Sequence, residues 1–280
     1  MISIISLTVS IVLYKSNQTI LLKSLQSLIY SFEEINKMEE YTIKINFIDN
    51  SPSHISEINL LFLINYFKDY TYIKWTFKNF PNNPGFSFSH NYSIMSENSD
   101  IHLILNPDIY LASESLKNSV NYLINHPNTN LVFPKVYEWN EELEDKKRMQ
   151  FLIKSYPSVF VLFLRGFAPT LLRYIFKNYI DKYENKDLNY NIVQENLKIV
   201  SGCFMLVRTS VLKSIGGFNE KYFLYFEDFD LSLRIGKIDY IPNSIVYHKG
   251  GNASKKGFKH IIYFLRSMIY FFNNNGWKLY

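Results

Sequence analysis

The sequence predicts an α/β protein, a mostly parallel sheet flanked by helices, and three observations carry that prediction. Short β-branched runs alternate with amphipathic stretches through the first half. The joints between them hold the residues that turns demand, as in "DNSPS", "NFPNNPG" and "NPD". With 280 residues, 47% of them hydrophobic, the chain can bury one large core, so residues 1–280 are expected to form a single domain.

The elements follow in order. "ISLTVSIVLY" lacks the basic start and small-residue cleavage site of a secretory leader and is read as a buried strand. "QTILLKSLQSLIYSF" keeps Ile20, Leu21, Ser24, Leu25 and Leu28 at helical spacing. Then come "KINFID" as a strand, a helix near 55–67, "YIKWTF" as a strand, a helix near 86–97, and "IHLILN" as the fourth strand. From about 140 to 198 the alternation breaks into a charged, an apolar-basic and a polar piece, which reads as an inserted segment. It resumes with the strand "GCFMLVR", an acidic motif, the strand "YIPNSIVYH" and a C-terminal helix over about 254–280.

Charge placement says more than the net +5. Residues 146–180 carry seven basic side chains and no acid, and six more follow Asp239, again with no acid. Taking those thirteen from +5 leaves −8 elsewhere, so two segments carry the positive field and suit an anionic partner. Nucleic acid is disfavoured: no binding module is present, and the acidic remainder would repel a phosphate-rich polymer. The single cysteine, Cys203, sits in an apolar run, which excludes an internal disulfide and points to the cytoplasm. No window has the roughly 18 uncharged apolar residues of a spanning helix, so membrane contact is expected from one side only.

Three stretches could carry chemistry. In "LILNPDIYL" a strand delivers Asn106 and Asp108 around Pro107; the carboxylate could hold Mg²⁺ or Mn²⁺, or simply cap a helix beyond 111. In "IVYHKGGNASKK" a strand ends in His248, followed by Lys249 and two glycines, suited to phosphate or to a plain solvated loop. "YFLYFEDFDLSLR" sets Glu227, Asp228 and Asp230 behind aromatic rings. Asp230 can pair with Arg234 one turn on, and the acids favour a helix N-terminus. Rings beside Glu227 and Asp228 would also raise their pKa toward that of a general base.

Taken in order, "SIVLY", "FIDNSPS", "NNPGFSFSHN", "LNPD", "GGFNEKYFLYFEDFDLSLR" and "VYHKGGNASKK" resemble the inverting glycosyltransferases of family 2, with the Rossmann-like GT-A fold. The resemblance is nearest to the bacterial rhamnosyltransferase-like members that build O-antigen, capsule and other surface polysaccharides. It runs collinearly from about residue 4 to residue 256, and the acidic motif is its most specific part. It implies a nucleotide-sugar donor, dTDP-rhamnose or a UDP-hexose or UDP-N-acetylhexosamine, and a glycan or lipid-linked glycan acceptor. Leu13, Tyr14 and Asp49 would hold base and ribose; Gly85, Asn91, Asn106, Gly202 and Lys249 would border the donor. Asp108 takes the last place of a D-x-D metal motif, with His248 completing the Mg²⁺ or Mn²⁺ site. Asp228 would be the base and Glu227 its orienting partner, with the rings as an acceptor-side wall. Lys15 departs from the usual Asn after Tyr14. The alternative is a non-catalytic nucleotide-binding scaffold of a polysaccharide assembly complex. The basic-aromatic stretch 146–180 would either lie on anionic lipid at the inner membrane face or close the acceptor groove.

Overall fold

The computed structural model describes residues 5–36, 41–52, 58–139, 148–250 and 257–280. The first half is laid down as β1 (Ile5–Leu13), α1 (Gln18–Asn36), β2 (Tyr41–Asp49), α2 (Leu60–Phe67), β3 (Lys74–Asn79), α3 (Phe86–Ser96) and β4 (Ile101–Leu105). β1 is buried along most of its length, because helices cover both faces of a parallel sheet. α1 starts where Asn17 Oδ1 accepts the Ile20 N–H at 3.0 Å, and it buries Leu21, Ser24, Leu25 and Leu28 on the face its spacing predicts. α2 is capped by Asn59; residues 53–57 of the predicted helix lie outside the described residues.

Next come β5 (Ile109–Leu111), α4 (Ser115–Asn125) and β6 (Leu131–Glu138); α4 is the helix that the turn reading of Asp108 allowed beyond 111, whereas β5 and β6 were not anticipated. The inserted segment holds β7 (Ile153–Lys154), α5 (Val159–Gly166), α6 (Thr170–Ile175) and α7 (Lys177–Tyr183), and it returns through β8 (Ile199–Val200). The chain closes with β9 (Phe204–Arg208), α8 (Thr209–Ser214), α9 (Glu227–Arg234), β10 (Ile238–His248) and α10 (Phe258–Asn275). The predicted helix start near Lys255 falls outside the described residues.

Eight strands form one sheet in the order β3-β2-β1-β4-β9-β6-β10-β5, and β7 pairs with β8 apart from it. The half β3-β2-β1-β4 is parallel as predicted, with Leu13 opposite Asp49 and Ile11 opposite Leu105. Beyond β4 the sheet is mixed: β9 runs antiparallel to both β4 and β6, and β5 antiparallel to β10. This order puts the carboxyl ends of β1, β2 and β4 side by side, where ligands gather in open α/β sheets.

Two apolar cores result. The larger fills the sheet and its helices; the smaller gathers Val161, Leu162, Tyr183, Tyr222, Phe226, Phe271 and Phe272 from α5, α7, the acidic motif and α10. The basic stretch 146–180 differs from a uniformly exposed face. Lys154 is buried, held by the Phe151 carbonyl and Glu184, while Arg165 also pairs with Glu184 and Lys177 with Asp181. The acids responsible lie just beyond residue 180, in the polar piece that looked unrelated to the basic one. Lys146 and Lys147 lie outside the described residues.

Candidate active site

A groove of about 960 Å³ opens along the strand ends, bounded on one side by α9 and the start of α10. Of the residues singled out in the sequence, it brings together Tyr14, Gly85, Asn106, Asp108, Gly202, Glu227, Asp228 and His248. Leu13 and Asp49 stay beneath it. Leu13 is core, and Asp49 is buried at the end of β2, where its Oδ1 accepts the Ser51 N–H at 2.9 Å. The next residue, Asn50, faces the groove instead, and its Nδ2 donates to the Gly85 carbonyl at 3.2 Å. Asn91 also lies off the groove wall. Its amide bridges the loop before the acidic motif, accepting from Phe218 N–H and donating to the Phe218 carbonyl, both at 2.8 Å. Lys249 does not line the groove; its N–H donates to the Asp108 carbonyl at 3.3 Å, tying β10 to the turn after β4.

The acid end is shaped by backbone. Tyr225 and Phe226 take left-handed φ values of 71° and 66°, conformations that cost a bulky side chain about 1–2 kcal/mol each. That tight turn swings Glu227 and Asp228 to the groove while Tyr222 and Phe226 anchor in the smaller core. Phe223, Leu224 and Tyr225 line the groove beside the acids, so the aromatic run divides between anchor and wall. Tyr225 Oη and His260 Nδ1 are hydrogen-bonded at 2.9 Å, fastening the turn to α10. Asp230 pairs with Arg234 at 2.7 Å, as the i, i+4 spacing predicts.

Asp228 is held by main-chain donors: Gly202 N–H reaches its Oδ2 at 2.9 Å and Phe229 N–H its Oδ1 at 3.0 Å. A Cβ on Gly202 would stand 3.2 Å from Asp228 Cβ, so the bare α-carbon makes room for the Asp228 side chain to pack against it. Burial raises both carboxyls above their usual range; for Glu227 the neighbouring Asp228 charge adds to it, while for Asp228 the two N–H groups offset part of it. Glu227 Oε2 is buried with no hydrogen-bond partner among the described residues. Environment thus separates the pair: Glu227 keeps its proton to higher pH, and Asp228 is the one ionised first.

At the other end, His248 Nε2 lies 3.6 Å from Asp108 Oδ1. Gln150 donates its Nε2 to the His248 carbonyl at 3.0 Å, which turns its Oε1 toward His248 Nδ1, also at 3.0 Å. Nδ1 is then the protonated nitrogen, and the lone pair of Nε2 faces Asp108, the arrangement in which an outer partner fixes a ligating histidine. Burial lowers the His248 pKa, keeping the ring neutral. Among the described residues no cluster of three or more His, Cys, Asp or Glu could hold a metal alone. A neutral imidazole plus one carboxylate still fits a hard divalent ion that takes its remaining oxygens from a diphosphate. Between the two ends sits Cys203, whose thiol burial pushes up to about 12, within electrostatic reach of both Asp108 and Asp228. It is a spacer rather than a nucleophile.

Sequence reasoning missed Asn50, Gln150, and Lys259, His260 and Tyr263 of α10. No local pattern marks Gln150 or the α10 residues, which reach the groove through tertiary packing. Asn50 sits inside the quoted "DNSPS", where the acid beside it drew the attention.

No protein-family model matches the chain. It is 34% identical over 85 residues to N-acetylglucosaminyl-diphospho-decaprenol L-rhamnosyltransferase of Mycobacterium tuberculosis, in strains CDC 1551 / Oshkosh and ATCC 25618 / H37Rv. That match covers 28% of this chain and 28% of the relative. Among solved structures, GalNAc-T7 with UDP, GalNAc and Mn²⁺ superposes with a TM-score of 0.61 at 13% identity, covering 88% of this chain and 43% of that one. The mannosyltransferase PcManGT of Pyrobaculum calidifontis, in complex with GDP-Man and Mn²⁺, gives 0.56 at 13%, covering 90% and 58%. S. aureus TarS in complex with UDP-GlcNAc gives 0.54 at 15%, covering 91% and 62%. The chain therefore has the GT-A glycosyltransferase fold, and over part of its length its sequence is similar to that of a rhamnosyltransferase, as its motifs imply.

Proposed function

We propose that this protein is an inverting glycosyltransferase, moving a sugar from a nucleotide donor to a hydroxyl of a glycan or lipid-linked glycan. The observation that carries the reading is one groove with a poorly solvated carboxylate, Asp228, at one end and the Asp108–His248 pair at the other. Tyr14, Asn50 and Asn106 would flank the nucleotide. Asp108 and His248 would hold a divalent ion, Mg²⁺ or Mn²⁺, that supplies charge neutralisation of the departing diphosphate. Asp228 accepts the proton of the acceptor hydroxyl as that oxygen bonds to the anomeric carbon and the bond to the diphosphate breaks, which inverts the centre. Glu227, still protonated, donates a hydrogen bond that orients the acceptor or Asp228. The partial match to a rhamnosyltransferase favours L-rhamnose from dTDP-rhamnose, in surface polysaccharide synthesis such as O-antigen or capsule. UDP or a UDP-sugar in the TarS and GalNAc-T7 structures supports a UDP-hexose or UDP-N-acetylhexosamine as the second reading.

Asp228→Asn should abolish transfer and leave donor affinity nearly unchanged; retained turnover removes Asp228 from the role of base. Thermal shifts with dTDP, UDP, GDP and CMP, each with and without Mn²⁺, decide the donor, because a ligand specific to the folded state raises the melting temperature. A metal-dependent shift with dTDP alone supports rhamnose, and one with UDP alone the second reading. Binding without turnover across donors and acceptors would instead support a non-catalytic scaffold. In Asp108→Ala the metal-dependent part of the shift should disappear.

A further inference from the structure

α6 breaks the rule that a helix buries one face. Its sequence is TLLRYI, yet none of its residues is buried: Leu171 is 70% exposed, Tyr174 75% and Ile175 61%. α10 shows a matching anomaly. Its outward stripe, where solvent should meet polar residues, carries Phe258 at 75%, Ile262 at 47%, Leu265 and Ile269. These recur at the spacing of a single helix face. The two features are neighbours, because Phe167, in the link from α5 to α6, meets Phe264 of α10 with ring centroids 6.5 Å apart. Two neighbouring apolar patches of this kind mark a surface that something covers.

Charge says what covers it. α5, α6 and α10 contain no acidic residue, while Arg173, Lys259 and Arg266 stand among the exposed apolar side chains. The nearby acids, Asp181 of α7 and Glu184 just after it, are both engaged: Lys177 and Lys186 take Asp181, and Lys154, Arg165 and Lys186 take Glu184. An apolar face set with cations and free of carboxylates complements an anionic bilayer, whose acyl boundary accepts the apolar groups and whose headgroups accept the cations. Such contact is one-sided, for no described helix is long and apolar enough to cross a membrane. Position adds a second argument. Phe258 of the stripe and Lys259 beside it also line the groove, so a membrane on this face lies at the groove mouth, beside Tyr225 and Asp228.

We propose that the α6–α10 face docks the protein on anionic lipid and presents the acid end of the groove to the bilayer surface. The surface is composite: the C-terminal helix contributes as much of it as the inserted segment does, and Lys154, Arg165 and Lys177 take no part. The proposal requires no particular sugar chemistry.

Co-sedimentation with vesicles tests it, using phosphatidylcholine alone and phosphatidylcholine mixed with phosphatidylglycerol, without glycan or nucleotide. The full chain should pellet with the anionic vesicles and remain in the supernatant with the neutral ones. The double substitution Leu171→Glu with Ile262→Glu should weaken that binding roughly tenfold or more. Both positions are exposed, so an unchanged melting temperature and nucleotide shift should show the fold and donor site intact. No pelleting with anionic vesicles, or binding that survives the double substitution, overturns the proposal. So does a dimer in analytical ultracentrifugation that the same substitutions dissociate, because the face would then belong to a second copy. Failure here leaves the donor-binding result standing, and failure of donor binding leaves this one standing.

Discussion

Glu227 is a buried carboxyl group whose Oε2 has no hydrogen-bond partner among the described residues, which normally costs stability and so calls for a reason. It shares a desolvated pocket with Asp228, the two cannot both ionise freely, and the proposed function gives that pair its use. The sign of its effect on stability follows from the direction of the shifts. Burial raises both carboxyls, so between the ordinary carboxylate values near pH 4 and their raised values the folded state binds more protons than the unfolded state. Stability contributed by the protonated pair is full at low pH and falls as pH rises through that window. Glu227→Gln removes the ionisable group while keeping the shape. It should raise the melting temperature at pH 8 by a few degrees and at pH 5 by much less. Calorimetry at the two pH values checks this, and equal shifts at both would sink the assignment of a raised Glu227. With Asp228 in the proposed role of base, the acid limb of the activity profile should lie above the ordinary aspartate range, which kcat/KM against pH would check. At this scale the motif reading singled out both acids, Asp108 and His248, which all line the groove, because each stands at a strand end or behind a ring cluster in the linear text. It could not find Gln150, which lies 98 residues from its partner His248.

The decisive element is the turn over Tyr225 and Phe226, with α9 behind it. Its strained backbone is held from three directions: Tyr225 by His260, Phe226 by Phe264 and Phe271, and the preceding Phe223 by Gly85. Gly85 has φ 101°, and a Cβ there would stand 2.8 Å from the Phe223 carbonyl oxygen, a backbone atom with no freedom to retreat. Gly85→Ala should therefore cost about 1–3 kcal/mol and displace the loop that supports the acids. Activity should fall further than stability explains, which kcat/KM measured well below the melting temperature would reveal; wild-type turnover would mean that the loop is independent of the acids. Tyr225→Phe is the milder probe: it removes only the hydroxyl bonded to His260 and should lower kcat with little effect on donor affinity. The parallel half of the sheet was legible because period-2 apolar runs and turn residues are local signals. β5 and β6 were not, because a three-residue strand and a strand interrupted by Pro134 carry little period-2 signal, although Leu116, Val120 and Leu123 of α4 do keep helical spacing in "SLKNSVNYLIN". β7, β8 and α5 to α7 are equally opaque, being short elements held by Glu184 and its cations rather than by a repeating pattern.

Across the whole molecule, the groove is the seam between two cores. The Tyr14 and Asp108 side rests on the sheet core, whereas the acid side rests largely on the smaller aromatic cluster built from α5, α7 and α10. α9 is pinned to both, with Leu231 in the sheet core and Phe229 and Leu233 against the smaller one. Donor binding and catalysis should then differ in their tolerance of damage. Phe271 is fully buried in the smaller core, where it meets Phe226, Phe229, Tyr156 and Phe272. Phe271→Ala should cost about 3–5 kcal/mol from the lost packing and the cavity left behind. Because that cavity opens beneath Phe226, the left-handed turn loses its anchor before the sheet loses its order. The expected outcome is a temperature range in which the variant still binds nucleotide, read as quenching or calorimetric heat, but no longer transfers sugar. Loss of both functions at one temperature would mean that the two cores unfold as a single unit, and that the acid end has no stability of its own to lose.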